Sequence, residues 1–337
     1  MQIVDRIKVP TGDILIVTGD RGLLEMLSLG DYGKNINIKA DFMGLSRDPG
    51  AVKHGALLPL EEKWVITVST QYGCSMGCSF CDVPRVGPGK NATFDDLIRQ
   101  VLTGIKLHPE IQSTKRLNIH FARMGEPTWN PAVLDATQWF KAHIDPEFKI
   151  HPVVSTMMPR NNEWLKTFIH TWMRMKNRLL GGNAGLQLSI NATDEAVRKA
   201  IFGGHACTLE EITEIMKGII PSGRKITLNF ALSDYGRQSV INPAVLRRAF
   251  NPSDYMVKLT PMHVTRAART HGYETSGDPT TLAPYAAIEE ALKHEGFDVL
   301  VFLASKEEDE SRITCGNAIL GDDDRKETRR TTGVGRY

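Results

Sequence analysis

From about residue 63 onward, short β-rich runs alternate with segments whose apolar residues recur at three- and four-residue spacing, and this rhythm limits the fold more than anything else in the chain. The runs are KWVITVST, LNIHFAR, FKIHPVVST, AGLQLSINA, KITLNFALS and YMVKLTPMH. Between them lie FDDLIRQVLTGIKLH, PAVLDATQWFKAHI, NEWLKTFIHTWMRMK, TLEEITEIMKGII and NPAVLRRAF, each with a helical apolar stripe. Such β-then-α units predict a parallel sheet, because a parallel neighbour is reached only over a crossover, and that crossover is right-handed. The sheet should curl into a barrel or an open part-barrel. Chemistry in such folds gathers at the C-terminal ends of the strands, which here are followed by YGCSMGCSFC, MGEPTWN, STMMPR, SINATDE, SDYGRQ and PMHVTRAART.

Before this pattern come a strand-like DILIVTG and a helix-like GLLEMLSLGDYGK, and after it a strand-like FDVLVFLAS and a charged tail, DDDRKETRRTTGVGRY. The expected organisation is a small N-terminal α+β region over 1–62, a barrel domain with a C-terminal extension over 63–321, and a mobile tail over 322–337. A formal charge of +2 lacks the strong positive excess of a protein that coats nucleic acid, so any such contact must be local. Candidates for it are Arg85, Arg160, Arg266 and Arg269 near the strand ends, and Arg325, Lys326, Arg329 and Arg330 in the tail; the plainer reading is solvated surface charge. Neither a signal peptide nor a membrane span is readable, which points to the cytoplasm and away from membranes. Thiols stay reduced there, so five cysteines with three of them clustered argue for metal binding or catalysis over disulfides.

The cluster is Cys74, Cys78 and Cys81, spaced C-x3-C-x2-C on the loop after the first barrel strand. Structural zinc favours paired C-x2-C modules and four ligands, and no fourth Cys or His stands nearby. Three thiolates suit a 4Fe-4S cluster with one iron left open. With Phe80 just before the third cysteine, the motif resembles the signature of the radical S-adenosylmethionine superfamily. The surroundings are similar to the RlmN and Cfr adenine methyltransferases. VSTQYGCSMGCSFC, RMGEPTWN, VVSTMMPR, LQLSINATDEAVR, VKLTPMH and RITCGNAILG follow in the order of that family's motifs, from about Val68 to Gly321.

The resemblance implies a partial (β/α)6 TIM-like barrel that binds the cluster and S-adenosyl-L-methionine, generates a 5′-deoxyadenosyl radical, and draws electrons from a donor such as flavodoxin or ferredoxin. It places Gly125 and Glu126 at the amino group of the cofactor's methionine moiety, where the plainer alternative is a turn before Pro127. Phe80, Ser155 and Ser189 fall at cofactor-side positions; Asn191 stands where the family has His, and His263 where it has Asn. It makes Cys315 the methyl carrier, a thiol that is methylated and then delivers a one-carbon unit to an adenine ring carbon too poorly nucleophilic for direct transfer.

Two departures stand out. The family's second catalytic cysteine, which resolves the protein–nucleic acid adduct as a disulfide, falls at Thr67, and a hydroxyl cannot form that bond. Cys207 is the other thiol that could serve, with a packing role as its plainer reading. Arg123 replaces the first glycine of the family's G-M-G-E-P. Three readings therefore stand: a methyltransferase acting on adenine in RNA or a nucleotide, a radical enzyme acting on a peptide or small metabolite without the methyl-cysteine step, and a binding protein with a structural metal.

Overall fold

The computed structural model describes residues 1–46, 56–233, 241–263, 265–273, 285–303, 311, 313 and 318–321. Three N-terminal strands, β1 (Ile3–Val9), β2 (Gly12–Gly19) and β3 (Gly22–Leu29), form an antiparallel meander, followed by a one-turn helix α1 (Lys34–Asn37) and a short strand β4 (Ile38–Lys39). Then come β5 (Trp64–Val68), a small hairpin of β6 (Gln71–Gly73) with β7 (Pro88–Asn91), helix α2 (Phe94–Lys106), β8 (Thr114–Phe121) and α3 (Ala132–His143). The alternation continues through β9 (Phe148–Thr156), α4 (Leu165–Arg174), β10 (Gly185–Ser189), α5 (Glu195–Ile201), α6 (Leu209–Met216), β11 (Ile226–Leu232) and α7 (Pro243–Ala249). Last are β12 (Tyr255–Pro261), α8 (Arg266–Thr270), α9 (Ala286–His294) and β13 (Asp298–Phe302).

Local chemistry sets these elements. Thr93 and Thr208 cap α2 and α6 reciprocally with Asp96 and Glu211, which satisfies donors that open each helix. Leu165, Phe168, Ile169, Trp172 and Met173 form the buried stripe of α4 at the spacing read from the sequence. The segment from Gly22 is the exception. It is strand β3, not a helix, because Asp20 and Arg21 make a two-residue turn between Gly19 and Gly22 and β3 then pairs along all of β2. Wedged between β2 and β5, it is buried on both faces, so its Leu and Met residues show no alternation to betray the strand.

One eleven-stranded sheet results, in the order β1-β2-β3-β5-β8-β9-β10-β11-β12-β13-β4. From β5 to β13 every neighbour is parallel, as the β/α rhythm requires. The N-terminal region covers both flanks of this parallel stretch: β3 pairs antiparallel with β5, and β4 with β13. The outcome is an open part-barrel whose terminal strands, β1 and β4, are not joined among the described residues. Trp64, Ile66 and Val68 of β5 face the helical layer, with Gly104 of α2 directly against Ile66. The alternate residues, Thr67 on β5 and Asn118 and His120 on β8, line the inner face.

The sheet is strongly curled. Flat strands about 4.8 Å apart would put β5 and β12 roughly 24 Å from one another. Yet Lys63, next to β5, acts electrostatically on Lys258 of β12, and Thr265 beyond β12 donates to the Phe80 carbonyl at 2.6 Å.

His120 reports on this inner face. Burial, aided by Arg224, Lys258, Lys63 and Arg116, pulls its pKa from the ordinary 6.5 down to about 3. The unfolded chain takes up a proton below about 6.5 that the folded chain refuses, so stability is fully present above that pH and falls as pH drops toward 3. Urea unfolding of His120→Asn between pH 7 and 4.5 should show a shallower loss than wild type, by up to about 1.4 kcal/mol per pH unit. Parallel curves would mean that His120 is protonated in the fold.

Candidate active site

The loop after β5 carries the three cysteines, none of them in a disulfide. It leaves the strand through Gly73, at φ +81°, where a Cβ would stand 2.1 Å from the Gly87 carbonyl oxygen. Cys74 then donates its backbone N–H to that same oxygen at 3.2 Å. Cys78 is buried, and its thiol lies 2.8 Å from the Met157 sulfur at the end of β9. Cys74 and Cys81 are half-buried. Phe80 stacks edge-on against Phe202, with ring centres 6.4 Å apart, in an apolar shell that also includes Met76, Cys78, Met262 and Tyr273.

Cross-bonds fix this loop from three sides. Ser79 donates its backbone N–H to the Ile201 carbonyl at 2.9 Å, and its hydroxyl shares a 2.6 Å bond with the Tyr273 hydroxyl. Asp82 accepts from the backbone N–H groups of Arg266 and Ala267, which open α8. Gln71 bridges to the loop after β8: its Oε1 accepts from Ser75 and from the Glu126 backbone N–H at 3.0 Å. Gly125 sits against Gln71 at φ +94°, where a Cβ would fall 2.5 Å from the Gln71 Cβ and 2.7 Å from its nitrogen. Only glycine fits there.

Glu126 is 1% exposed. Its Oε1 accepts from the Thr128 N–H and hydroxyl, and its Oε2 from the Met157 N–H at 2.8 Å. Burial raises its pKa, while bonds from Thr156, Met157 and Thr128 oppose the shift. Burial likewise pushes Cys74 up to about 11 and raises Cys78 well above the ordinary thiol value, with the Cys81 and Cys74 sulfurs and Glu126 adding to the latter. These thiols are protonated at neutral pH, so binding a metal there must release protons.

The donor set discriminates between metals. Tetrahedral zinc at about 2.3 Å from each sulfur would draw its ligands to within ~4 Å of one another. Among the described residues, the group of three side chains whose ligand atoms lie within 4.8 Å of one another is Asp41, Glu289 and Glu290, not the cysteines. Three thiols, two of which act electrostatically on the third, under an apolar cover, fit a cluster with one iron left without a protein ligand.

The remaining sequence-selected residues divide. Ser155 and Ser189 lie on the inner face, near the C-terminal ends of β9 and β10, and His263 follows β12 at the same end. Asn191 adopts a left-handed φ of +58° just beyond β10, and its Oδ1 accepts from the Ala231 N–H at 3.0 Å, tying β10 to β11. Thr67 sits on β5 opposite His120 and Leu27. Cys207 is buried in the main core, its pKa raised to about 11 by burial. Arg160 is engaged by Glu211 at 2.8 Å. Cys315 and the tail cations from Arg325 to Arg330 lie outside the described residues. Sequence reasoning passed over Gln71, Asp82 and Met157, although the first two flank the cysteine motif directly.

Arg123, the departure from the family's glycine, is engaged in a buried ion pair with Glu25 of β3. It also donates to the Ile313 carbonyl at 2.6 Å, while Glu25 accepts from the Ile319 N–H at 2.8 Å. The pair thus grips the chain on either side of residues 314–317. Ile313 and Ala318 pack with Leu27, the cross-strand partner of Thr67.

No family model matches this chain. A probable RNA methyltransferase of Sorangium cellulosum is 27% identical over 190 residues, 55% of this chain and 44% of that protein. The dual-specificity RNA methyltransferase RlmN of Sulfurovum sp. is 29% identical over 180 residues, 53% of this chain and 45% of the relative. The chain thus spans less than half the length of these two curated relatives. Among solved structures, a radical SAM methyltransferase from Sphaerobacter thermophilus aligns with a TM-score of 0.64 at 19% identity, covering 92% of this chain and 79% of that one. The fold is shared with that methyltransferase, and the likeness to RlmN-type proteins read from the motifs is borne out.

Losing one partner of the Glu25–Arg123 pair leaves an uncompensated buried charge, at a cost of about 3–5 kcal/mol. Arg123→Met should lower the urea-unfolding free energy by that order, and Glu25→Leu combined with Arg123→Met should recover most of it. A loss below ~1 kcal/mol in the single variant would mean that the pair is solvated.

Proposed function

We propose that this chain is a radical S-adenosylmethionine enzyme that methylates an aromatic carbon of adenine in RNA or a nucleotide, with Cys315 as methyl carrier. The observation that carries the reading is the trio of clustered thiols next to the buried Glu126, at the C-terminal end of a curled parallel sheet. Cys74, Cys78 and Cys81 would hold a 4Fe-4S cluster, and Glu126 would face the cofactor's ammonium group. When bound, cluster and cofactor supply one-electron cleavage of a carbon–sulfur bond.

The chain's own groups do the positioning. Gln71 ties the cysteine loop to the Gly125–Glu126 turn, so the metal ligands and the acceptor carboxylate move as one unit. Phe80, Phe202 and Met262 exclude water from the cysteines. Glu126 is held by donors from Thr128 and Met157, which aim its carboxylate before any ligand arrives. Arg123 and Glu25 anchor residues 313 and 319. Flavodoxin or ferredoxin would supply the electron.

A second reading, a peptide or small metabolite as substrate, is favoured by Thr67. It lies opposite Leu27, whose cluster receives Ile313 and Ala318, yet offers no sulfur for adduct resolution. Cys207, packed in the core, is a poor replacement.

Anaerobic reconstitution with iron and sulfide should give a brown, dithionite-reducible protein with about four irons per chain. Cys78→Ala should lose the chromophore and the bound iron together with 5′-deoxyadenosine formation. A variant that keeps the full iron complement would remove the cluster assignment. Mass analysis of RNA against peptide substrates after turnover then separates the two readings.

A further inference from the structure

The opposite end of the inner face holds a group of cations that the cysteine end does not use. Lys63 precedes β5, Arg116 is in the first turn of residues of β8, Arg224 precedes β11, and Lys258 lies mid-way along β12. Lys34 of α1 stands at the rim. The curl of the sheet draws them together: Lys34 is influenced by Arg116, Lys63 and Arg224, and His120 by Arg224, Lys258, Lys63 and Arg116. Arg224 is influenced by Arg116 and Lys258 by Lys63, and all four act on the inner-face His120.

Their partners are too few. Lys63 is paired with Asp31 at 2.5 Å. Arg116 donates to Asn118 at 3.0 Å, Arg224 to the Asn183 carbonyl at 3.3 Å, and Lys258 lies 5.0 Å from the centre of the Phe302 ring. Among the described residues no carboxylate comes within 4 Å of Arg116, Arg224, Lys258 or Lys34; Asp31, which acts electrostatically on Lys34 and Arg116, is engaged by Lys63. Burial and repulsion from like charges pull Lys258 down to about 8 and Arg224 to about 10, so the cluster is held at an electrostatic cost. Two polar atoms in the same region, His151 Nδ1 and Asn229 Oδ1, are buried without a hydrogen-bond partner, and Asn229 is in register with Lys258. Arg116, Arg224 and Lys258 are half-buried, so solvent reaches them.

We propose that this end of the inner face binds a small phosphate-bearing ligand, gripped by Arg116, Arg224 and Lys258 with Lys34 at the entrance. Two guanidinium forks and an ammonium suit the several oxygens and the double charge of a phosphate monoester better than the single charge of a carboxylate. An anion here relieves the repulsion that the free protein carries. The binding stands on these cations alone and does not rest on the cluster assignment.

Isothermal titration at low salt, with inorganic phosphate and separately with adenosine monophosphate, tests the site. Saturable one-to-one binding of either supports it; tighter binding of the nucleotide assigns a nucleotide, and equal binding assigns phosphate itself. Arg116→Gln, Arg224→Gln and Lys258→Met should each weaken binding at least about tenfold while leaving the chain folded, because each removes a repelled charge. Lys166→Gln, exposed on α4, should leave the affinity unchanged, and Cys78→Ala should still bind. Absence of saturation in wild type, or equal losses in Lys166→Gln and the inner-face variants, would overturn the proposal.

Discussion

The hydrogen bond from Thr265 to the Phe80 carbonyl joins the loop after β5 to the turn after β12, five strands away. The site depends on this closure. A parallel sheet gathers its loops at one end, but only curvature brings the first loop against the last. Asp82 capping α8 and Ser79 meeting Tyr273 reinforce the same contact, so the cysteine loop is clamped at its C-terminal half while Gln71 holds it at the other. A loop fixed at both ends can present three thiols in one geometry before a metal is present, which lowers the ordering cost of binding.

The N-terminal meander is joined to this arrangement by charge. Glu25 sits on a strand buried on both faces, where an unpaired carboxylate would be prohibitive, and Arg123 from the loop after β8 neutralises it. That one arginine links three parts of the chain: β3, the G-E-P turn, and the carbonyl of Ile313. Arg123 is thus a strut for that turn.

Much of this was legible in the sequence, for identifiable reasons. The barrel strands and α2, α3, α4, α6 and α7 follow the apolar periodicity, because each has one face on the core and one toward solvent or the inner space. Strand β3 reads as a helix in the sequence because burial on both sides erases alternation, and its Leu and Met residues suit either state. The cysteines and Glu126 were found by spacing. Gln71 and Met157 were not, since a glutamine and a methionine carry no spacing rule and acquire their roles only through contacts made by folding. The cations at the far end of the barrel were equally hidden: Lys63, Arg116, Arg224 and Lys258 are scattered over nearly 200 residues and converge only because the sheet curls.

The central claim is that Cys74, Cys78 and Cys81 hold a cluster with one iron open to a ligand. Electron–nuclear double resonance on the reduced, reconstituted protein, with S-adenosylmethionine labelled with nitrogen-15 at its amino group, tests this most directly. The account predicts a nitrogen coupling to the cluster, present in wild type and absent when the cofactor is withheld. A reduced cluster whose spectrum is unchanged by the labelled cofactor would contradict it.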